Sequence, residues 1–302
     1  MHLRIGLVAL VLALSGVASA GPPTTSPVIA AAGDIACDPA DGSFHAGRGT
    51  ASACRQLATS NLLLRGRYTA VLTLGDNQYE DGSYGKYLVS YAPSWGRMKR
   101  VTHPAPGNHE YGTDRASGYF RYFGRAAGPP GRGYYSFDVG TWHLVSLDSN
   151  CSEVGGCEVG SPQERWLRSD LASHRAQCTL AYWHHPRFSS GRHGTDDAVD
   201  GLWRTLYANR ADVVLVGHDH DYERFAPLDS AGVPDSARGI REFVVGTGGK
   251  SHYWFESRER GSQVRDATSF GVLALTLKPR GYDWRFLPAV GSFADRGSGR
   301  CH

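Results

Sequence analysis

The chain has 302 residues with 32 Lys+Arg against 29 Asp+Glu, a formal net charge of +3, and 41% hydrophobic and 11% aromatic residues. That apolar content buries a sizeable core and excludes a disordered chain, and so small a charge excess gives no reason to expect nucleic acid or an anionic membrane as partner. The 13 histidines stand out against the low charge, because imidazole is the commonest metal-binding side chain.

The chain opens with Met1-His2-Leu3-Arg4, an apolar run from Ile5 to Leu14, and Ala18-Ser19-Ala20. A basic start, a short hydrophobic stretch and a small-residue cleavage site predict a signal peptide over residues 1–20. The run is shorter than the about 20 residues that span a bilayer, and no later run exceeds it. No membrane span is therefore expected, and the mature chain is expected to be secreted into an extracellular or periplasm-like oxidising compartment. In that compartment the even set Cys37, Cys54, Cys151, Cys157, Cys178 and Cys301 predicts disulfides. Cys151 and Cys157 flank Gly155-Gly156 and form the first pair, Cys37 with Cys54 comes next, and Cys178 with Cys301 follows by elimination.

After a Pro/Thr-rich lead (residues 21–27), residues 28–302 read as one α/β domain. Val28 to Ala32, Ala70 to Leu74, Thr179 to Trp183 and Val213 to Val216 are short, apolar and bounded by turn residues, so they predict buried strands. Helical spacing covers Ala51 to Leu64, Tyr84 to Met98, Pro162 to Arg175 and Asp196 to Asn209, with Ser161-Pro162-Gln163-Glu164 as a capping box. Tyr134 to Asp148 predicts a hairpin around Gly140, and Arg241 to Val245 and Gly271 to Arg285 predict further strands.

Five apolar runs end on polar residues: Asp34, Asp76, Asn108-His109-Glu110, His184 and His218-Asp219-His220. Loops at the carboxyl ends of strands are where α/β sheets bind ligands. Singly, a Gly-Asp pair is a turn and Asn108 a helix cap. Together they supply the mixed nitrogen and oxygen donors preferred by Zn, Fe and Mn, in greater number than one tetrahedral ion needs.

These blocks, Gly33-Asp34, Gly75-Asp76-Asn77, Gly107-Asn108-His109-Glu110, His184 and Gly217-His218-Asp219-His220, resemble the ordered signature of calcineurin-like metallophosphoesterases. Tyr79 after Asp76, and the run from Gly217 to Arg224, are similar to the small purple acid phosphatases; Gly33-Asp34-Ile35-Ala36 departs from their usual Gly-Asp-x-Gly. The resemblance implies an αββα sandwich of two mixed β-sheets flanked by helices. It implies that Asp34, Tyr79 and His220 bind one ion, Asn108, His184 and His218 the other, and that Asp76 bridges. Two metal ions are implied, Fe(III) at the Tyr79 site and Fe, Zn or Mn at the other. His109 and His193 are implied to act on phosphate and proton, with Glu110 orienting His109, while His143 and His185 read as structural.

The implied activity is hydrolysis of a small phosphate monoester by a hydroxide held at the metals, with histidine protonating the leaving group. An acid optimum and a purple colour are expected with it. A phosphodiesterase on the same site is the first alternative, and a secreted metal- or phosphate-binding protein without catalysis is the second. No nucleic acid is required. A serine hydrolase is excluded because no G-x-S-x-G occurs. Gly246 to Ser251 lacks the first glycine of a P-loop, where Val244 stands, and reads as a loop beside the site. Tyr111, Phe120, Tyr122 and Trp254 are candidates to line the approach.

Overall fold

A computed structural model describes residues 1–2 and 26–302, so residues 3–20 of the predicted signal peptide and most of the lead lie outside the described residues. Among the described residues no helix is long and apolar enough to cross a membrane.

Two mixed sheets form the centre. The first holds parallel β1 (Val28–Ala32), β2 (Ala70–Leu74) and β3 (Thr102–Ala105), extended antiparallel by β11 (Phe270–Lys278), β12 (Gly281–Val290) and β13 (Arg296–Arg300), in the order β13-β12-β11-β1-β2-β3. The second holds β4 (Tyr135–Val139), β5 (Trp142–Ser146), β6 (Cys178–Tyr182), β7 (Val213–Val216), β8 (Tyr222–Leu228), β9 (Ile240–Val245) and β10 (Ser262–Asp266), in the order β10-β8-β9-β7-β6-β5-β4. Its middle strands β5, β6, β7 and β9 are parallel.

Alternation along the strands explains the layering. Leu144, Leu180, Val213 and Phe243 of the second sheet join Ile29 and Leu72 of the first in one core. Their neighbours Val145, Ala181, Val214 and Val244 face the other way and pack with Leu167 and Leu171 of α4 (Pro162–Ser173) and Leu202 and Leu206 of α5 (Asp200–Ala208). Helix α1 (Gln56–Arg65) packs on β11 and β12 of the first sheet, and α3 (Ser117–Phe123) buries Tyr119 and Phe123 in the same core as Leu72. Strands buried on both faces read as unbroken apolar runs, which is why β2 and β7 are legible in the sequence.

The segment from Tyr84 to Met98 does not form one helix. A single turn of α2 (Tyr84–Lys86) passes into a π-helical stretch over Tyr87–Tyr91, and a 3-10 stretch follows over Trp95–Val101. Pro93, which has no N–H to donate, lies in the break. Helix α1 starts later than its spacing predicts, because Cys54 lies in the left-handed region with φ of 61° and is tied to Cys37. At α4 the Ser161 hydroxyl accepts from the Glu164 N–H at 3.3 Å, while the Glu164 carboxylate reaches the Gly160 N–H at 2.9 Å, one residue earlier than a capping box requires.

The cysteines pair as Cys37–Cys54, Cys151–Cys157 and Cys178–Cys301. The last joins the start of β6 to the end of β13 and so ties one sheet to the other.

Candidate metal centre

Strands β1, β2 and β3 of the first sheet and β6 and β7 of the second point their carboxyl ends at one place. Asp34 follows β1, Asp76 and Tyr79 follow β2, Asn108 follows β3, His184 follows β6, and His218 and His220 follow β7. The turns that deliver them are crowded. A Cβ on Gly75 would fall 2.5 Å from the His184 ring, and one on Gly107 would fall 2.2 Å from Asp76 Oδ1. Only glycine leaves room there. Asp34, Asp76 and His218 themselves hold left-handed backbone, with φ of 59°, 45° and 70°. Side chains in that region cost about 1–3 kcal/mol each and persist where the surroundings impose them.

Two groups of donors result. In the first, Tyr79 Oη lies 2.9 Å from Asp34 Oδ1 and 3.0 Å from His220 Nε2, and His220 Nε2 lies 3.3 Å from Asp34 Oδ1. In the second, His184 Nε2 lies 3.1 Å from Asn108 Oδ1, 3.2 Å from His218 Nδ1 and 3.4 Å from Asp76 Oδ1. The structure thus brings together all seven residues singled out as ligands. His184 donates from Nδ1 to the Leu74 carbonyl at 2.8 Å, which leaves Nε2 as the atom facing the group. His220 Nδ1 is held by Ser251 Oγ at 2.8 Å, so its Nε2 likewise faces inward.

This donor set fits a pair of cations. With Nδ1 donating to Leu74, the Nε2 of a neutral His184 ring is an acceptor facing the acceptor oxygen of Asn108, a pairing that positive charge between them relieves. The flanking carboxylates supply a field that favours positive charge at this point. Burial opposes the charge on His184, yet Asp76 and Asp34 push its pKa up to about 9. Burial opposes ionisation of Asp76, and the His184 and His109 rings overcome it to hold the carboxyl well below the usual carboxylate range. His218 is driven down by burial and by the neighbouring His184 and His185 rings, which keeps it neutral as a ligand must be. Burial and Asp34 raise the Tyr79 phenol well above its ordinary value.

Around this core, the His109 N–H donates to Asp76 Oδ1 at 3.0 Å, and its ring lies 4.3 Å from that of Tyr79. Glu110 was expected to orient His109, but its carboxylate is spent elsewhere. It accepts from the Gly107 N–H at 2.7 Å, the Gln78 N–H at 3.1 Å and the Tyr87 hydroxyl at 3.0 Å, joining the loops that carry Asp76 and Asn108. Burial and then Asp76 raise it to about 7. His193 is exposed, its ring 4.2 Å from that of His218, and its N–H donates to Asp219 Oδ1 at 2.8 Å. His143 stands apart from the centre, clamped by Asp138 and Asp170 at 2.8 Å each. His185 is held by Ser149 Oγ at 2.8 Å, with its ring 4.4 Å from that of His218.

Sequence reasoning missed several supporting groups. Asp219, between the two histidines of the last block, is buried and receives Ser189 Oγ at 2.5 Å as well as His193. Its position between His218 and His220 in the loop after β7 is the signal that would have found it. Tyr253 stacks on His220 at 3.9 Å. The loop from Gly246 to Ser251 does lie beside the site: Lys250 donates its N–H to the Asp34 carbonyl at 2.9 Å and its side chain pairs with Glu80 and Asp41. Of the aromatic candidates, Tyr122 is 7% exposed and Phe120 packs against the core, whereas Tyr111 lines a cavity beside the centre.

Residues 28–222 match the family model described as calcineurin-like phosphoesterase, and the chain belongs to that family. An uncharacterized protein of Mycobacterium tuberculosis is 31% identical over 185 residues, covering 49% of this chain and 35% of that protein. Purple acid phosphatase 21 of Arabidopsis thaliana is 31% identical over 182 residues, covering 53% of this chain and 40% of that protein. The chain therefore spans well under half the length of these curated relatives. Among solved structures, purple acid phosphatase PPD1 from yellow lupin seeds superposes with a TM-score of 0.71 at 17% identity, covering 91% of this chain and 53% of that chain. A dimetal phosphatase from Danio rerio superposes with a TM-score of 0.61 at 16% identity, covering 92% of this chain and all of that one. These likenesses establish the fold, an αββα sandwich of two mixed sheets.

Proposed function

We propose that the chain is a secreted, metal-dependent phosphoester hydrolase with a dinuclear centre, acting on phosphate monoesters. The observation that carries this reading is the pair of donor groups, Asp34–Tyr79–His220 and Asn108–His184–His218, with Asp76 Oδ1 3.4 Å from His184 Nε2 and between the two. Asp34, Tyr79 and His220 would hold one ion, Asn108, His184 and His218 the second, and Asp76 would serve both. Bound there, two cations supply Lewis acidity toward the phosphate oxygens and toward water.

The chain's own residues do the rest. His184 and His220, locked through Leu74 and Ser251, keep their Nε2 atoms turned inward without reorganisation. His109, anchored on Asp76, stands beside the phosphate position. His193, exposed and carried on a loop pinned by Asp219, is placed to give its proton to the departing alkoxide oxygen. The Tyr79 phenol oxygen, 2.9 Å from Asp34 Oδ1 and 3.0 Å from His220 Nε2, is a hard donor suited to ferric iron, which supports Fe(III) at that position and Fe, Zn or Mn at the other. Three disulfides support an oxidising compartment.

The test is metal analysis of the purified chain together with turnover of para-nitrophenyl phosphate and its bis-ester. Two metals per chain are expected, with faster hydrolysis of the monoester and loss of both metal and turnover in His184→Ala. A preference for the bis-ester would replace the monoester reading by the phosphodiesterase one. Turnover that survives chelation and dialysis would refute the metal-dependent reading.

A further inference from the structure

A cavity of about 480 Å³ opens beside the centre. It is bordered by Asn108 and by His185, whose ring lies 4.4 Å from that of His218. A larger cavity of about 740 Å³, near Tyr68 and Trp284, shares no residue with the centre. The smaller one is where the part of a substrate beyond its phosphate would lie.

Its lining has a distinct chemistry. Glu153 and Asp196 contribute carboxylates, Tyr111 an aromatic ring, and no Lys or Arg is present, although the chain carries 32 Lys+Arg against 29 Asp+Glu. Among the described residues neither carboxylate is neutralised by an ion pair: Arg187, on the same loop as Asp196, engages Asp197 and Asp200 instead. The wall is also held in place. Buried Asp148 receives the Tyr111 hydroxyl at 2.5 Å and, on its other oxygen, both the N–H and the side-chain amide of Asn150 at 2.9 Å. The 3-10 turn Cys151–Glu153 is tied down by Cys151–Cys157, and Asp196 is fixed by accepting from the Ala198 N–H at 2.8 Å.

An anionic phosphate and an acid-lined, aromatic-walled cavity side by side select a molecule that carries both charges. Carboxylates attract a cation by Coulomb's law and an aromatic face adds its quadrupole. We propose that this cavity takes the alcohol part of the substrate and that the alcohol bears an ammonium group, so the preferred substrates are phosphate monoesters of ammonium alcohols. This rests on the phosphoester hydrolase reading above. In the reaction water adds to phosphorus, the bond from phosphorus to the alcohol oxygen breaks, and that oxygen takes up a proton, giving inorganic phosphate and the ammonium alcohol.

Phosphocholine and its uncharged isostere 3,3-dimethylbutyl phosphate differ in the charge alone and test the idea on the metal-loaded full chain. The expected ratio of kcat/KM is about tenfold in favour of phosphocholine, and it falls to within about twofold of unity in Glu153→Gln/Asp196→Asn. A second readout involves neither metal nor phosphate: choline itself, titrated by NMR, binds the parent chain and not the double variant, while 3,3-dimethyl-1-butanol binds neither. Thermal melting verifies that the variant is folded. A ratio near one in the parent chain while para-nitrophenyl phosphate is turned over overturns this inference and leaves the hydrolase reading intact, as does a ratio unchanged in the double variant. Failure to hydrolyse any of the esters overturns the hydrolase reading and this inference with it.

Discussion

Glu242 offers a test of the fold that is independent of the metal centre. It lies on β9, is fully buried, and accepts the N–H groups of Arg187 and Phe188 at 2.9 and 3.0 Å. These two residues root the loop that carries His193. Burial outweighs both hydrogen bonds and the Arg187 charge, and pushes the carboxyl up from 4.5 to about 8. Below pH 4.5 the folded and unfolded chains are both protonated here and the group is neutral toward stability. As pH rises from there to about 8, the unfolded chain releases its proton while the folded chain keeps it. Stability therefore falls with rising pH, by about 1.4 kcal/mol per unit, or about 3–4 kcal/mol between pH 5 and pH 8 from this residue alone. Glu242→Gln removes the titration. Its amide accepts one N–H and confronts the other with its own NH₂, so the variant is about 1–3 kcal/mol less stable at pH 5. Because the parent loses about 3–4 kcal/mol over that range and the variant loses none of it, the two stabilities cross before pH 8, where the variant is the more stable. Guanidinium unfolding at both pH values measures the difference. Parallel losses in the two proteins between those pH values would mean that Glu242 keeps its ordinary titration in the fold.

The three disulfides close loops with sequence separations of 123, 17 and 6. On the chain-entropy account, removing Cys178–Cys301, Cys37–Cys54 or Cys151–Cys157 by paired Cys→Ala changes costs about 5, 3 and 2 kcal/mol respectively. Denaturant midpoints that put Cys151–Cys157 first would contradict that ranking. For His193→Ala, kcat on an alkyl phosphate falls about 10²-fold or more, while para-nitrophenyl phosphate, whose leaving group needs no proton, is affected far less; equal losses on both would remove His193 from the acid role. Iron-loaded protein carries a visible absorption band that Tyr79→Phe abolishes, and a band that persists in the variant would place the iron elsewhere.

The metal-centre candidates were legible because each is a short-range event. Apolar runs such as Ala70 to Leu74 are buried on both faces, and each ends in a turn whose glycine or compact residue exposes one polar side chain. The apolar runs of β6 and β7 and the Ser161 cap of α4 are equally local and follow from the order of residues alone. Edge strands β10 and β13 escaped notice because Ser262–Asp266 and Arg296–Arg300 carry too few apolar residues to alternate. The helix expected from Tyr84 to Met98 failed because spacing does not register how Pro93 and the neighbouring turns divide the backbone hydrogen bonds.

What surrounds the candidates depends on long-range packing. Ser251 on His220, Asp219 beneath His193 and Glu242 at the root of the His193 loop are separated from their partners by 31, 26 and up to 55 residues. The acid-lined cavity likewise gathers Tyr111, Glu153 and Asp196 from three distant segments. A residue's type and its local periodicity fix which element it joins and which face it takes. The distance between faces of different elements is fixed by packing two sheets against one another, and no local pattern contains it.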